Sequence, residues 1–237
     1  MVLSLLLIIS CRPNQEKIRV EGRLSHAGNE KLYLSEITPY DIICIDSVFL
    51  QNGNFAFTVK NKRQKPIPDV AFYRISLTPY NHINTIIHKG EKLYIEADSR
   101  SMVKNYSVSG GKDSGLMHEL DETLKQFIDT VDILYAIYAG YIENDSARME
   151  IENTYNRLLE KHEGYLKQFI SRNPSSLASV TAFYQTYNKR RFIDEKENLE
   201  LLKHICSSLK NKYPHNENVS YLEKRIRVLD TNPQGSE

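Results

Sequence analysis

The chain has 237 residues, of which 41% are hydrophobic and 26% charged, and that length and composition suffice to close a sizeable core. Its 31 basic and 30 acidic residues leave a formal charge of +1, which removes the general electrostatic footprint of a nucleic-acid binder and gives no acidic tail. Three cysteines are present without any Cys-x-x-Cys pair, so the usual dithiol redox site is excluded as well.

At the start of the chain Val2 to Ile9 form an apolar run broken only by Ser4, followed by Ser10, Cys11 and a polar stretch from Arg12 to Lys17. The run is too short for a helix to cross ~30 Å of hydrocarbon, which takes about 20 residues. An apolar segment ending at a small residue is a signal-peptide pattern. Ile8-Ile9-Ser10-Cys11 resembles a lipobox, in which the cysteine is acylated and becomes the new N-terminus. Residues 1–10 therefore read as a signal peptide, Cys11 as the lipidation site and 11–16 as a tether. No Lys or Arg precedes the apolar run, a departure that an upstream start codon would explain. The competing reading is a buried first strand with Cys11 as a core thiol, which the polar tether disfavours. Two or three acyl chains, at ~0.8 kcal/mol per buried methylene, hold a protein on a membrane where one chain is marginal. Arg12 is not the aspartate that resembles an inner-membrane retention signal, so the expected location is the outer membrane, facing the periplasm.

From residue 17 to 112 the chain is built of short runs rich in β-branched and aromatic residues, read as strands over 17–24, 30–37, 42–50, 54–60, 70–78, 83–88, 92–97 and 104–109. Asn52-Gly53 supplies two residues suited to positive φ between Val48, Leu50 and the alternating Phe55, Phe57, Val59, which predicts a type I′ hairpin. His26 to Asn29 and Lys89-Gly90-Glu91 read as further turns, and Pro66 and Pro68 as a loop or edge. Strands at this spacing without intervening helices predict a small antiparallel β-sandwich. From 113 to 230 the period changes to that of helices. Leu116, Leu120, Leu124, Phe127, Val131 and Tyr135 form one stripe, and Met149, Tyr155, Leu158, His162, Leu166 and Phe169 a second. Asn173-Pro174 reads as the start of a helix running through Ser179, Phe183 and Tyr187, with helices over 193–212 and 217–229 after it. The fold class expected is thus α+β, an antiparallel sandwich followed by an α-helical bundle, with 231–237 as a disordered tail.

Several strings invite a chemical reading and each has a plainer one beside it. Ser109-Gly110-Gly111-Lys112-Asp113-Ser114 resembles the pyrophosphate loop of ATP pyrophosphatases, but no strand follows it to build their parallel sheet. A flexible crossover with Asp113 or Ser114 capping the long helix is preferred. His118 and Glu122 lie one helical turn apart without the second histidine of a metal motif, and read as a solvated face. His162 falls on an apolar stripe and reads as a hydrogen-bonded core residue, and Asp121-Glu122 shows no sign of burial. Cys44 and Cys206 read as two buried free thiols, and Lys189-Arg190-Arg191 as charges at a helix end. Tyrosine occurs fifteen times and tryptophan not at all. Tyr135, Tyr138 and Tyr141 recur every third residue among Ala136, Ala139 and Gly140, where packing on a neighbouring helix is preferred and a ligand surface lined by the rings is the alternative.

Val20-Glu21-Gly22, Lys31-Leu32-Tyr33-Leu34, Ile45-Asp46-Ser47-Val48, Asn52 to Phe57, Gly90-Glu91-Lys92-Leu93 and the later Asn173-Pro174-Ser175-Ser176 occur in an order that resembles a domain of unknown function of bacterial lipoproteins. In that family the sandwich and helical segment commonly precede a thioredoxin-like domain of disulfide reductases or peroxiredoxins. The resemblance covers most of this chain but brings no Cys-x-x-Cys with it. It implies a stand-alone relative or the front part of a redox protein, with a thioredoxin-like envelope protein as possible partner. The expectation is a non-catalytic lipoprotein that binds or scaffolds, with no cofactor, no metal and no nucleic acid. The alternatives are an accessory part of a thiol-disulfide oxidoreductase system and a glycan-binding envelope protein.

Overall fold

The computed structural model describes residues 17–60, 66–140 and 145–231. Its first part holds two four-stranded sheets. One has the order β4-β1-β7-β8, with β1 (Ile18–Ser25), β4 (Asn54–Val59), β7 (Lys92–Asp98) and β8 (Tyr106–Ser109). The other has the order β3-β2-β5-β6, with β2 (Lys31–Ile37), β3 (Ile42–Phe49), β5 (Val70–Thr78) and β6 (Asn81–His88). Alternation decides which side chains meet: Ile18, Val20 and Leu24 of β1 point inward, as do Leu32 and Leu34 of β2 and Tyr73 and Ile75 of β5, in one shared core. The turn expected at Asn52-Gly53 is present, with φ of 54° and 78° at its two central residues and an isolated bridge from Gln51 to Asn54, but β3 and β4 on either side of it belong to different sheets, so it is a corner between the sheets and not the expected hairpin.

One feature differs from an all-antiparallel sandwich. β1 pairs with β4 antiparallel but with β7 in parallel, Arg19 opposite Lys92 through Ser25 opposite Asp98. A parallel neighbour requires a long crossover, and here the chain supplies it by visiting the other sheet between β1 and β7. The approach is close enough that a Cβ on Gly22 would lie 1.9 Å from the Ile95 carbonyl oxygen. The last strand is shorter than expected, because Met102–Lys104 wind into a 3-10 turn before β8.

Among the described residues five α-helices follow: α1 (Lys112–Gly140), α2 (Asp145–Arg172), α3 (Ala178–Phe183), α4 (Leu199–Lys212) and α5 (Glu217–Thr231). They close a second core around Phe127, Leu166, Phe169, Phe183, Ile205 and Leu222, to which Val70 and Ile86 contribute from the outer face of β5 and β6. The strand β6 is thereby buried on both faces, which accounts for the consecutive buried Thr85, Ile86 and Ile87.

The stretch after α2 departs most from the sequence expectation. Asn173 closes α2 instead of opening the next helix: its N–H and its side-chain amide both donate to the Phe169 carbonyl. The short α3 ends at Phe183, and Tyr187 lies on β9 (Thr186–Tyr187), paired with β10 (Arg190–Arg191). Asn188 and Lys189 take φ of 48° and 66°, the type I′ geometry, so Lys189-Arg190-Arg191 form a hairpin and not a helix end. Likewise α4 starts six residues later than the expected 193, because Asp194 folds back to accept the N–H groups of Lys196 and Glu197. Among the described residues no helix is long and apolar enough to cross a membrane.

Candidate functional site

The far halves of α1 and α2 carry a groove of about 260 Å³ lined by Val131, Leu134, Tyr135, Tyr138, Ile151, Glu152 and Tyr155. Its floor follows from helical spacing. Val131, Leu134, Tyr135 and Tyr138 stand at i, i+3, i+4 and i+7 on α1, and Ile151 and Tyr155 at i and i+4 on α2. Val131 is buried, Tyr138 and Tyr155 half-buried, and Tyr135 58% exposed, so the rings wall an open cleft, with Tyr155 also packed against the helical core. Tyr155 also lines an adjoining polar hollow of about 230 Å³ with Asn156, Glu160, Tyr187, Arg190 and Arg191. The β9–β10 hairpin builds this end, Tyr187 standing edge-on to Phe127 with ring centres 5.3 Å apart. Burial, then the nearby Tyr135, Asp132 and Tyr155, raise the Tyr187 hydroxyl above its ordinary range.

Of the three tyrosines singled out in the sequence, Tyr135 and Tyr138 therefore share one groove, and Tyr141 lies outside the described residues, as does Cys11. The sequence reading assigns Tyr187 and Arg190 to a helix and its end, because Asn188-Lys189 is a weak hairpin signal beside Asn-Gly.

The remaining candidates resolve into structural roles. The Ser109–Ser114 string is a docked joint, not a flexible crossover. Gly110 takes φ of 99° at a point where an added Cβ would lie 2.0 Å from the Lys92 carbonyl oxygen, and Ser114 Oγ donates to the Ile86 carbonyl at 2.6 Å. Asp113 does not cap α1 through its side chain but meets His88 Nε2 at 2.9 Å. Burial pushes its carboxyl up, and the His88 hydrogen bond and charge outweigh that and hold it below the usual range. His118 is not merely solvated: its Nε2 donates to the Tyr106 carbonyl at 2.7 Å and its ring meets the Tyr106 ring edge-on. The Asp121 carboxyl beside it accepts the Tyr106 hydroxyl at 2.7 Å, and burial pushes it up to about 6, against the expectation that this carboxylate pair is fully solvated. His162 is a buried residue bonded to Gln185 at 2.7 Å, as its place on the apolar stripe implied.

Cys206 is buried in α4, but Cys44 is exposed, because β3 is an edge strand with Ile42 and Ile43 also open to solvent; both thiols are free. Glu195 is a buried carboxylate with four hydrogen bonds, which no sequence motif marks. It accepts from Arg225 at 2.9 and 2.6 Å, from Arg191 at 2.8 Å and from the Tyr184 hydroxyl at 2.8 Å. Among the described residues no group of three or more His, Cys, Asp or Glu side chains is placed to hold a metal ion. Comparison with family models, with curated proteins and with solved structures finds no match to this chain.

Proposed function

We propose that this protein is a non-catalytic binding module of the cell envelope, a β-sandwich with a helical bundle, held on a membrane by lipid at Cys11 and binding through the tyrosine groove of α1 and α2. The observation that carries the binding reading is the groove itself. Apolar side chains with half-buried aromatic rings surround a cleft open to water at the end of two long helices, and apolar clefts with a few polar groups at their edge are where ligands and partners bind. The non-catalytic reading is supported by the state of the titratable groups. Asp113, Asp121, His162 and Glu195 each have bonded partners within the fold and hold elements together.

Two measurements test it. Replacing Cys11 with Ala should move the protein from the membrane fraction to the soluble periplasmic fraction, and persistent membrane association would overturn the anchoring. The purified Cys11→Ala protein should bind the neutral apolar dye Nile red saturably, with a fluorescence rise that Leu134→Glu abolishes while the far-ultraviolet circular dichroism is unchanged. Absence of saturable binding, or binding indifferent to that substitution, would remove the groove from the proposal.

A further inference from the structure

The groove sits in an end of the molecule that is both apolar and acidic. From Ile133 to Gly140, α1 carries no charged side chain, and Ile133 is 62% and Ile137 44% exposed; Met149 on α2 is 62% exposed. A helix apolar on every side is ordinarily covered. Between residues 129 and 157 the described chain bears five exposed carboxylates, Asp129, Asp132, Asp145, Glu150 and Glu152, and two arginines. Arg148 is paired with Asp145 at 2.8 Å and Arg157 donates to Thr154 Oγ1 at 2.9 Å, so over this stretch carboxylates outnumber cations, and two of them stand at the groove and its adjoining hollow. Glu152 lines the groove, and Asp132 lies close enough to Tyr187 to act on its hydroxyl.

Charge chooses among the possible occupants. A second copy docked end to end would set these carboxylates against an identical set, and an anionic bilayer surface would repel them in the same way. A segment with one apolar and one cationic face suits both properties. Its apolar residues at i, i+3 or i+4, and i+7 would seat against Leu134, Tyr138, Ile151 and Tyr155, while its lysines or arginines meet Asp132 and Glu152 and the faces of the tyrosine rings. Arg190 in the adjoining hollow, where Arg191 is already paired with Glu195, favours the negative C-terminal pole of such a helix there. We propose that the groove receives a basic amphipathic helix of another protein, a proposal that rests on the reading of the groove as a binding site.

The test uses purified Cys11→Ala protein and two labelled 18-residue model helices with identical leucine spacing, one filled out with lysine and one with glutamate, followed by fluorescence anisotropy. The lysine peptide should bind saturably and at least tenfold tighter than the glutamate peptide, and should weaken in high salt. The double variant Asp132→Asn, Glu152→Gln should lower its affinity about five- to tenfold. Leu134→Glu, which leaves the acidic residues in place, should abolish binding. Equal or reversed preference between the peptides while Nile red still binds would overturn the basic partner and leave the groove standing. Lysine-peptide binding that survives Leu134→Glu would also overturn it, as adhesion to acidic surface alone. Loss of both peptide and dye binding in the parent protein would remove the groove reading together with its occupant.

Discussion

Glu195 shows what a single buried carboxylate does in this fold. Three donors converge on it from α5, β10 and the residue after α3, and the Arg225 hydrogen bonds, with those of Tyr184 and Arg191, outweigh burial and hold it down at about 2. Replacing it with Gln leaves two guanidinium groups half-exposed without their counter-ion and should cost about 2–3 kcal/mol in denaturant unfolding at pH 7. Because the folded value lies below the ordinary one, the stabilisation is present above about pH 4.5 and is lost as pH falls towards 2. The difference between parent and Glu195→Gln should therefore shrink in acid, and a pH-independent difference would contradict the ion cluster. Asp121 has the opposite sign. Burial raises it to about 6 from an ordinary 3.8, so the folded state holds its proton more tightly and this group stabilises the fold as pH falls from about 7 to about 4. Any advantage of Asp121→Asn over the parent should be largest at pH 7 and decline by pH 5, read as the difference of two unfolding free energies. The sequence could not rank these residues, since neither 15-residue nor 30-residue separations such as Tyr106–Asp121 and Glu195–Arg225 have a local signature.

Among elements, the strands were legible because burial alternates along them, as in Ile18, Val20 and Leu24, and the Asn52-Gly53 turn because its residue types are selected by positive φ. The segment from Asn173 to Asn198 was not. Asn173-Pro174 suits a helix start as well as a helix end, and only the packing of Leu177, Ala178 and Phe183 into the second core stops α3 after six residues and frees Thr186 to Arg191 for a hairpin. The parallel pairing of β1 with β7 was equally hidden, since strand direction is set by the path through the second sheet and not by either strand's residues. Two glycines test the element boundaries in opposite directions. A Cβ at Gly164, in the interior of α2, meets nothing within 4 Å, so Gly164→Ala should stabilise by about 0.5–1 kcal/mol and raise Tm by about 2–4 °C. At Gly110, where φ is 99° and a Cβ would lie 2.0 Å from the Lys92 carbonyl oxygen, alanine should destabilise by about 2 kcal/mol or more and lower Tm accordingly. Thermal unfolding of the pair decides both, and similar shifts at the two sites would show that the joint before α1 is not the constrained point described.

At the scale of the whole molecule the two cores are stitched through β5 and β6. Asn216 Nδ2 donates to the Val70 carbonyl at 2.7 Å, Ser114 to that of Ile86, and the side chains of Val70 and Ile86 belong to the helical core. Unfolding followed by far- and near-ultraviolet circular dichroism should accordingly give one coincident transition. Ser114→Ala combined with Asn216→Ala should separate the two signals, whereas coincident curves in that double variant would place the coupling in the apolar contacts alone. The contact of Gly110 with Lys92 has a geometric consequence of its own. Lys92 lies opposite Arg19, so the base of α1 stands beside the beginning of β1. If lipid at Cys11 anchors the chain, the residues from Cys11 to Ile18 span at most about 25 Å. From its base, α1 runs 26 residues to Tyr138, or about 39 Å at the helical rise. Under the proposed anchoring the chain enters the fold at the base of α1, and the groove lies at the opposite end of that helix, a helix length away from the point where the tether joins β1.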